Sequence, residues 1–202
     1  RTPSSAGNRK TWTWSCWIKR GNIGSTLSQN LLGSGTSGTA STFDTIRINA
    51  DKIQFFTQDA LATLLNTDAV YRDVSAWNHI IVAVDTTQAT STNRVKIYVN
   101  GVEQTITGTY PTLNENTSIN NNISQGIGAR QVTGALTNYL DGYLTEINFI
   151  DGQQLTPTDF GEFDSDSGIW KPKAYEGTYT GNSFYLDFEN SGSLGADQSG
   201  NG

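Results

Sequence analysis

The stretch TWTWSCWIK alternates strictly: Trp12, Trp14, Cys16 and Ile18 fall on one face, and Thr11, Thr13, Ser15 and Lys19 on the other. A period of two is that of a β-strand with one face in a core. FDTIRINADKIQFFTQ predicts two short strands, 43–49 and 52–58, joined by a tight Asn-Ala-Asp-Lys turn. HIIVAVD (79–85) is nearly continuous in apolar residues, as a strand in the middle of a sandwich would be. In NRVKIYVNGVEQTIT, Val95, Ile97 and Val99 alternate with Lys96 and Tyr98 before Asn100-Gly101, the pair that suits a type I′ turn. Val102, Gln104 and Ile106 are then expected to form the return strand, with further strands at 125–129, 139–149 and 183–188.

No window sustains a helical apolar stripe. TPTDFGEF (156–163) can make one turn, with Thr158 or Thr156 as its cap. The Asn-rich stretch 114–122 reads as an exposed loop, and the connections are rich in Gly, Asn, Ser and Asp, as turns require. Many short strands with regular turns predict an all-β fold, a jelly-roll β-sandwich of two antiparallel sheets.

Composition narrows the function classes. The 202 residues suit one domain, and only 16% are charged, against about 25% in an average soluble domain. Aromatics at 10%, five of them Trp, supply enough apolar surface to fold. The net charge of −6 argues against a nucleic-acid partner, which usually meets a basic face. No apolar run approaches the roughly 20 residues of a membrane-spanning helix. Cys16 is the single cysteine, so no internal disulfide can form.

Three carboxylates crowd into YLDGYLTEINFIDGQQLTP: Asp141, Glu146 and Asp151. Paired carboxylates carry out glycoside hydrolysis when they share a face at the right separation. Asp141 and Glu146 are five apart and point to opposite faces of a continuous strand, while Asp141-Gly142 and Asp151-Gly152 look like turn or bulge dipeptides. No catalytic set is therefore assigned. On an unbroken strand Glu146 shares a face with Leu144, Asn148 and Ile150, opposite Tyr143, Ile147 and Phe149; it is expected to be a solvent-side or rim residue, hydrogen-bonded to a neighbouring loop. His79 is the only histidine and has no second ligand or nucleophile beside it, so it is expected to be a satisfied strand residue.

The motifs TWTWSCWIKRG, WNHIIVAVDTT, VKIYVNGV, IGAR, YLDGYLTEINFIDGQQLTP and FGEF stand in an order that resembles laminin-G-like domains of the concanavalin A-like lectin/glucanase superfamily. The match runs over most of residues 10 to 165. Glucanases of this superfamily carry a Glu-x-Asp-x-(x)-Glu string, which this chain lacks. A narrower resemblance begins at FGEFDSDSGIWKPKAYEG and runs to SGNG: it looks like the tail of a lectin-like domain common in bacteriophage virion proteins, marine phages especially. That resemblance implies a non-enzymatic virion structural and adhesion module, in a tail fibre, appendage or capsid decoration, outside the cell. Its partners would be copies of itself and a host-surface glycan, with no nucleic acid and no membrane insertion. A glycan hydrolase or lyase of the same fold and a secreted cellular adhesion module are the alternatives. It also implies one lectin-like domain over 1–202, cut from a longer chain, with 164–202 as an extension that completes or leaves the sandwich.

Lectin-like sandwiches bind glycans shallowly through loop aromatics and polar acceptors, which makes Tyr110, Tyr139, Tyr175 and Tyr179 the candidate carbohydrate-binding residues. DSDSG (164–168) resembles the opening of a calcium loop, with Asp164 and Asp166 as candidate Ca2+ ligands. It lacks a third ligand before the Gly and has Tyr175 at the twelfth position, so a polar turn is the expected reading. No cofactor other than Ca2+ is implied.

Overall fold

The computed structural model describes residues 1–24, 26, 28–35, 43–58, 63–132 and 135–201. Among these, the strands are β1 (Thr11–Arg20), β2 (Ser28–Gly35), β3 (Phe43–Asn49), β4 (Lys52–Gln58), β5 (Leu64–Thr67), β6 (Asn78–Asp85), β7 (Val95–Val99), β8 (Val102–Glu103), β9 (Ile106–Thr109), β10 (Gln125–Ile127), β11 (Arg130–Val132), β12 (Ala135–Thr137), β13 (Gly142–Asp151), β14 (Gly161–Phe163), β15 (Trp170–Pro172) and β16 (Phe184–Leu186). Two six-stranded antiparallel sheets form the body, in the orders β16-β13-β1-β6-β7-β8 and β10-β2-β3-β4-β5-β9. The architecture is the predicted all-β jelly-roll sandwich.

The core lies between the sheets. Trp12, Trp14, Cys16 and Ile18 of β1 all point into it, meeting Ile46, Ile48, Phe55 and Leu65 of the facing sheet. Trp12 packs edge-on against Phe55, with ring centroids 5.8 Å apart. Each such fully buried side chain stabilises the fold by roughly 1.5–3 kcal/mol relative to exposure. The β3–β4 hairpin falls on the predicted residues, with Ala50 and Asp51 both at positive φ in the turn. Asp51 is anchored well beyond its turn: its carboxylate accepts Arg20 Nη2 at 3.0 Å, Arg72 Nε at 2.9 Å and the Gly24 N–H at 3.0 Å.

Three expectations need correction. The return strand after Asn100-Gly101 is split: β8 stays in the first sheet, while β9 crosses to pair with β5 in the second. The Asn-rich loop is not simply exposed. Thr117, Ile119 and Asn120 are buried, because Thr117 receives the Trp12 indole N–H and Asn120 donates to Asp151. The outer face of β1 is not solvated either: Thr13 and Ser15 are fully buried. The chain beyond β13 folds back over that face, and Phe160, Leu155, Tyr175 and Tyr179 form a second apolar cluster with Ile81, Ala83 and Ile150. Thr13 Oγ1 staples this excursion by donating to Gln153 O and accepting from the Leu155 N–H. Within the excursion, Pro157–Asp159 make a single 3-10 turn with Thr156 at its N-cap.

Candidate functional site

The site is built around an irregularity in β13. Across from β1, Ser15 pairs with Asn148 and Trp17 with Thr145, so Cys16 alone faces both Glu146 and Ile147. Two residues opposite one is a β-bulge, and Glu146 takes it up at φ 51°, in the left-handed region. The bulge resets the alternation. Leu144 on one side and Ile147 and Phe149 on the other all pack into the main core, whereas Ile150 joins the outer cluster. Leu144 therefore leaves the face expected for it, and Tyr143 is exposed rather than grouped with Ile147 and Phe149.

Glu146 turns outward, into a cavity of about 220 Å³ lined by Glu146, Asn148, Lys173, Ala174, Tyr175, Tyr179, Tyr185 and Gln198. Its Oε2 accepts the Tyr185 hydroxyl at 2.7 Å. The Tyr179 hydroxyl donates to Asn148 Oδ1. Tyr175 stacks on Phe160 at 5.3 Å and meets Tyr179 edge-on at 5.2 Å, so the aromatic wall is braced from behind. Burial raises the phenol pKa of both Tyr179 and Tyr185, and the nearby Glu146 carboxylate raises each further. These phenols stay protonated and remain hydrogen-bond donors. The arrangement offers a carboxylate, amides and phenols around a ring-sized hollow: donors and acceptors for a polyhydroxylated molecule, with aromatic surface beside them.

The four candidate tyrosines separate into three places. Tyr175 and Tyr179 share this cavity; Tyr110 lines another of about 350 Å³ with Lys96, Glu103 and Ile106; Tyr139 stands 62% exposed outside both linings. Sequence reasoning missed Asn148, Lys173, Tyr185 and Gln198, and left Glu146 as a rim residue. The hydrogen bond expected for Glu146 comes from a strand, β16, rather than a loop. A larger cavity of about 530 Å³ opens where β16 and β10 end the two sheets, but Ile127, Phe184, Leu186 and Phe188 make its walls a continuation of the core.

The three crowded carboxylates are spread out. Successive members are five positions apart along β13 and the residue before it, roughly 13–16 Å at strand rise once the bulge is counted, beyond the 5–9.5 Å between hydrolase carboxyl groups. Asp151 points inward and is buried, accepting the Asn8 N–H, Asn120 Nδ2 and the Asn182 N–H at 2.7–3.0 Å. Asp164 organises its own turn: Oδ1 accepts the backbone N–H of Asp166 and Ser167 and the Ser167 hydroxyl, and Lys171 Nζ lies 3.3 Å from Oδ2. Those donors hold the Asp164 carboxyl well below the usual range. Asp166 is exposed beside it, and among the described residues no group of three His, Cys, Asp or Glu gathers as a metal site.

His79 is buried and satisfied. Nδ1 accepts the Trp170 indole N–H at 2.9 Å, so Nε2 carries the proton and donates to Ser15 Oγ at 2.8 Å. Trp17 stacks on one face of the ring, at 5.0 Å and 9°, and the Trp170 indole lies edge-to-edge with it, centroids 6.0 Å apart and planes 19° apart. Cys16 is buried in the core, and burial pushes its thiol up to about 12.

Solved structures share this fold at low identity. The CBM40 of the Ruminococcus gnavus IT-sialidase superimposes with a TM-score of 0.53 at 12% identity, over 78% of this chain and 90% of its own. The same CBM40 bound to α2,3-sialyllactose gives 0.52 at 14%, over 75% and 78%. Domain 4 of AbnA, a GH43 extracellular arabinanase from Geobacillus stearothermophilus, in complex with arabinotriose, gives 0.53 at 17%, over 77% and 66%. No curated protein sequence matches the chain. With residues 1–159 matching the family model and the two-sheet topology in place, the chain belongs to the concanavalin A-like lectin/glucanases superfamily.

Proposed function

We propose that this domain is a non-catalytic glycan-binding module that holds a sugar ring in the cavity at the β13 bulge. One observation carries the reading: Glu146 holds a strained left-handed conformation and projects its carboxylate among Tyr175, Tyr179 and Tyr185. Strain of this kind costs about 1–3 kcal/mol and clusters at functional sites. Oε2 is taken by Tyr185, while Oε1 has no donor among the described residues and is available to a ligand hydroxyl. Glu146 is the only carboxylate in the lining, and a glycosidase of the usual kind needs two. The superposed modules that hold sialyllactose and arabinotriose support a binding role for the same fold.

The finer form of the reading is an adhesion module of a phage virion, extracellular, assembled with copies of itself and presenting this face to host-surface glycan. Its support is the resemblance of residues 160–202 and the lightly charged composition. The site-level reading is tested on a glycan array with the wild-type chain and Glu146→Gln. Binding that falls at least about tenfold in the variant, with no reducing ends released from bound glycans, is expected. Release of reducing ends that disappears in the variant would establish the hydrolase instead. For the virion role, antibodies raised against the chain should decorate intact phage particles and block adsorption to host cells; undecorated particles would rule that role out.

A further inference from the structure

Glu146 is a wall between two cavities. On its far side lies a second, shallower hollow of about 260 Å³, lined by Trp17, Trp77, Thr145, Glu146 and Pro172. Each cavity is smaller than the ~300–1,000 Å³ typical of a drug-sized ligand, so each suits a single ring. Their characters differ. The tyrosine pocket is polar, whereas apart from Glu146 and Thr145 the second is bounded by two indoles and a proline ring. Trp77 is 41% exposed in the segment that leads into β6, presenting indole surface to solvent.

The floor of the second cavity is rigid. Trp17 stacks on the face of His79, and in-plane hydrogen bonds from the Trp170 indole and to Ser15 fix the imidazole beneath it. A hydrophobic ledge of this stiffness, open to water and sharing a wall with a polar pocket, complements a molecule whose successive units each have hydroxyl edges and an apolar face. That is the chemistry of an oligosaccharide.

We propose that the two cavities are consecutive subsites for adjoining rings of one neutral oligosaccharide, with Trp77 stacking the apolar face of the second ring. The proposal rests on the glycan-binding reading of the tyrosine pocket and adds to it a minimum ligand length and a charge. Glu146 forms the junction: its carboxylate faces the tyrosine pocket, where it can accept hydroxyls from the first ring, while only its apolar stem lines the second cavity. Asp197, whose Oδ1 accepts the Tyr185 N–H and whose Oδ2 lies 3.9 Å from the Arg1 guanidinium, stands close to the tyrosine pocket as a charge-paired carboxylate. Lys173 offsets Glu146 within the linings, and the net charge of −6 over the chain sets an unfavourable field for an acidic sugar.

The test is calorimetric titration of the whole 202-residue chain with cellotriose, arabinotriose and triacetylchitotriose, each beside its monosaccharide, and with α2,3-sialyllactose as the acidic probe. At least one neutral trisaccharide should bind about tenfold tighter than its monosaccharide, the scale of one added aromatic contact. Trp77→Ala should bring that trisaccharide to within about twofold of the monosaccharide and leave the monosaccharide unchanged, while Trp77→Phe retains most of the gain. Near-UV circular dichroism checks that both variants fold. Equal affinity for one ring and three, a Trp77→Ala effect shared by both, or sialyllactose binding as tightly as the best neutral sugar overturns the two-subsite assignment while leaving the tyrosine pocket as a glycan site. Absence of binding to every sugar overturns the glycan-binding reading, and this proposal with it.

Discussion

Acidification should weaken this protein through His79, and the effect can be isolated because the chain has a single histidine. The imidazole is 1% exposed, and burial pushes it from the usual 6.5 down to about 4. Its neighbours on the ring faces and edges are Trp17, Trp170 and Ser15, none of which carries a charge. Protonation would also put a hydrogen on Nδ1, where the Trp170 N–H already points. The folded state therefore binds the proton less readily than the unfolded state. Above pH 6.5 neither state is protonated and the linkage contributes nothing. As pH falls from 6.5 towards 4, the unfolded chain takes up the proton and stability drops by about 1.4 kcal/mol per unit, reaching about 3 kcal/mol below pH 4. Urea denaturation at pH 7, 6, 5 and 4 of wild type and His79→Gln checks this: the wild-type curve should fall more steeply by that amount, since carboxylate losses are common to both. Long-range proton–nitrogen NMR of the one imidazole should show the Nε2–H tautomer and a midpoint near pH 4. A midpoint near 6.5, or a proton on Nδ1, would refute the buried-acceptor geometry.

Three further outcomes follow from the same structure. At Glu146, Gly should be more stable than Ala by about 1 kcal/mol in urea denaturation, because φ 51° penalises any Cβ; at an ordinary strand position the order is reversed, so an Ala variant equal to or better than Gly would deny the bulge. Asp51→Asn should cost about 3–5 kcal/mol, because Arg20, itself buried, loses its counter-charge; a loss below 1 kcal/mol in thermal or chemical unfolding would refute the buried pair. Cys16, its thiol pushed up to about 12, should resist Ellman's reagent in the native protein at pH 8 and react at once in urea.

Much of the fold was legible in the alternation. The phase of β1 and both strands of the β3–β4 hairpin follow from side-chain period and turn chemistry, which are local properties. What escaped was non-local. Nothing in TEIN marks Glu146 as left-handed, since Glu has no preference for that region; the bulge arises from the register of β13 against β1. The split at Gln104 and Thr105 is likewise set by which sheet the chain meets next. Thr13 and Ser15 looked solvent-facing because their cover is supplied from about 140 residues downstream. The tyrosines show the same limit. Tyr110, Tyr139, Tyr175 and Tyr179 were equivalent as loop aromatics, and only the path of the chain beyond β13 decides that Tyr175 and Tyr179 meet Glu146 while the other two do not.

That path also separates what packing explains from what it does not. Without the bulge, the inner face of β13 would read Leu144, Glu146, Asn148 and Ile150, setting two polar side chains in the core at a cost of several kcal/mol. One inserted residue moves Ile147 and Phe149 inward and sends Asn148 outward, so the core accounts for the insertion. It does not account for glutamate. Gly or Asn would make the same phase change with less backbone strain, and neither would carry a charge into the tyrosine pocket. The fold needs a residue at position 146; the carboxylate there fits the hydroxyl acceptor that the proposed glycan site in the tyrosine pocket requires.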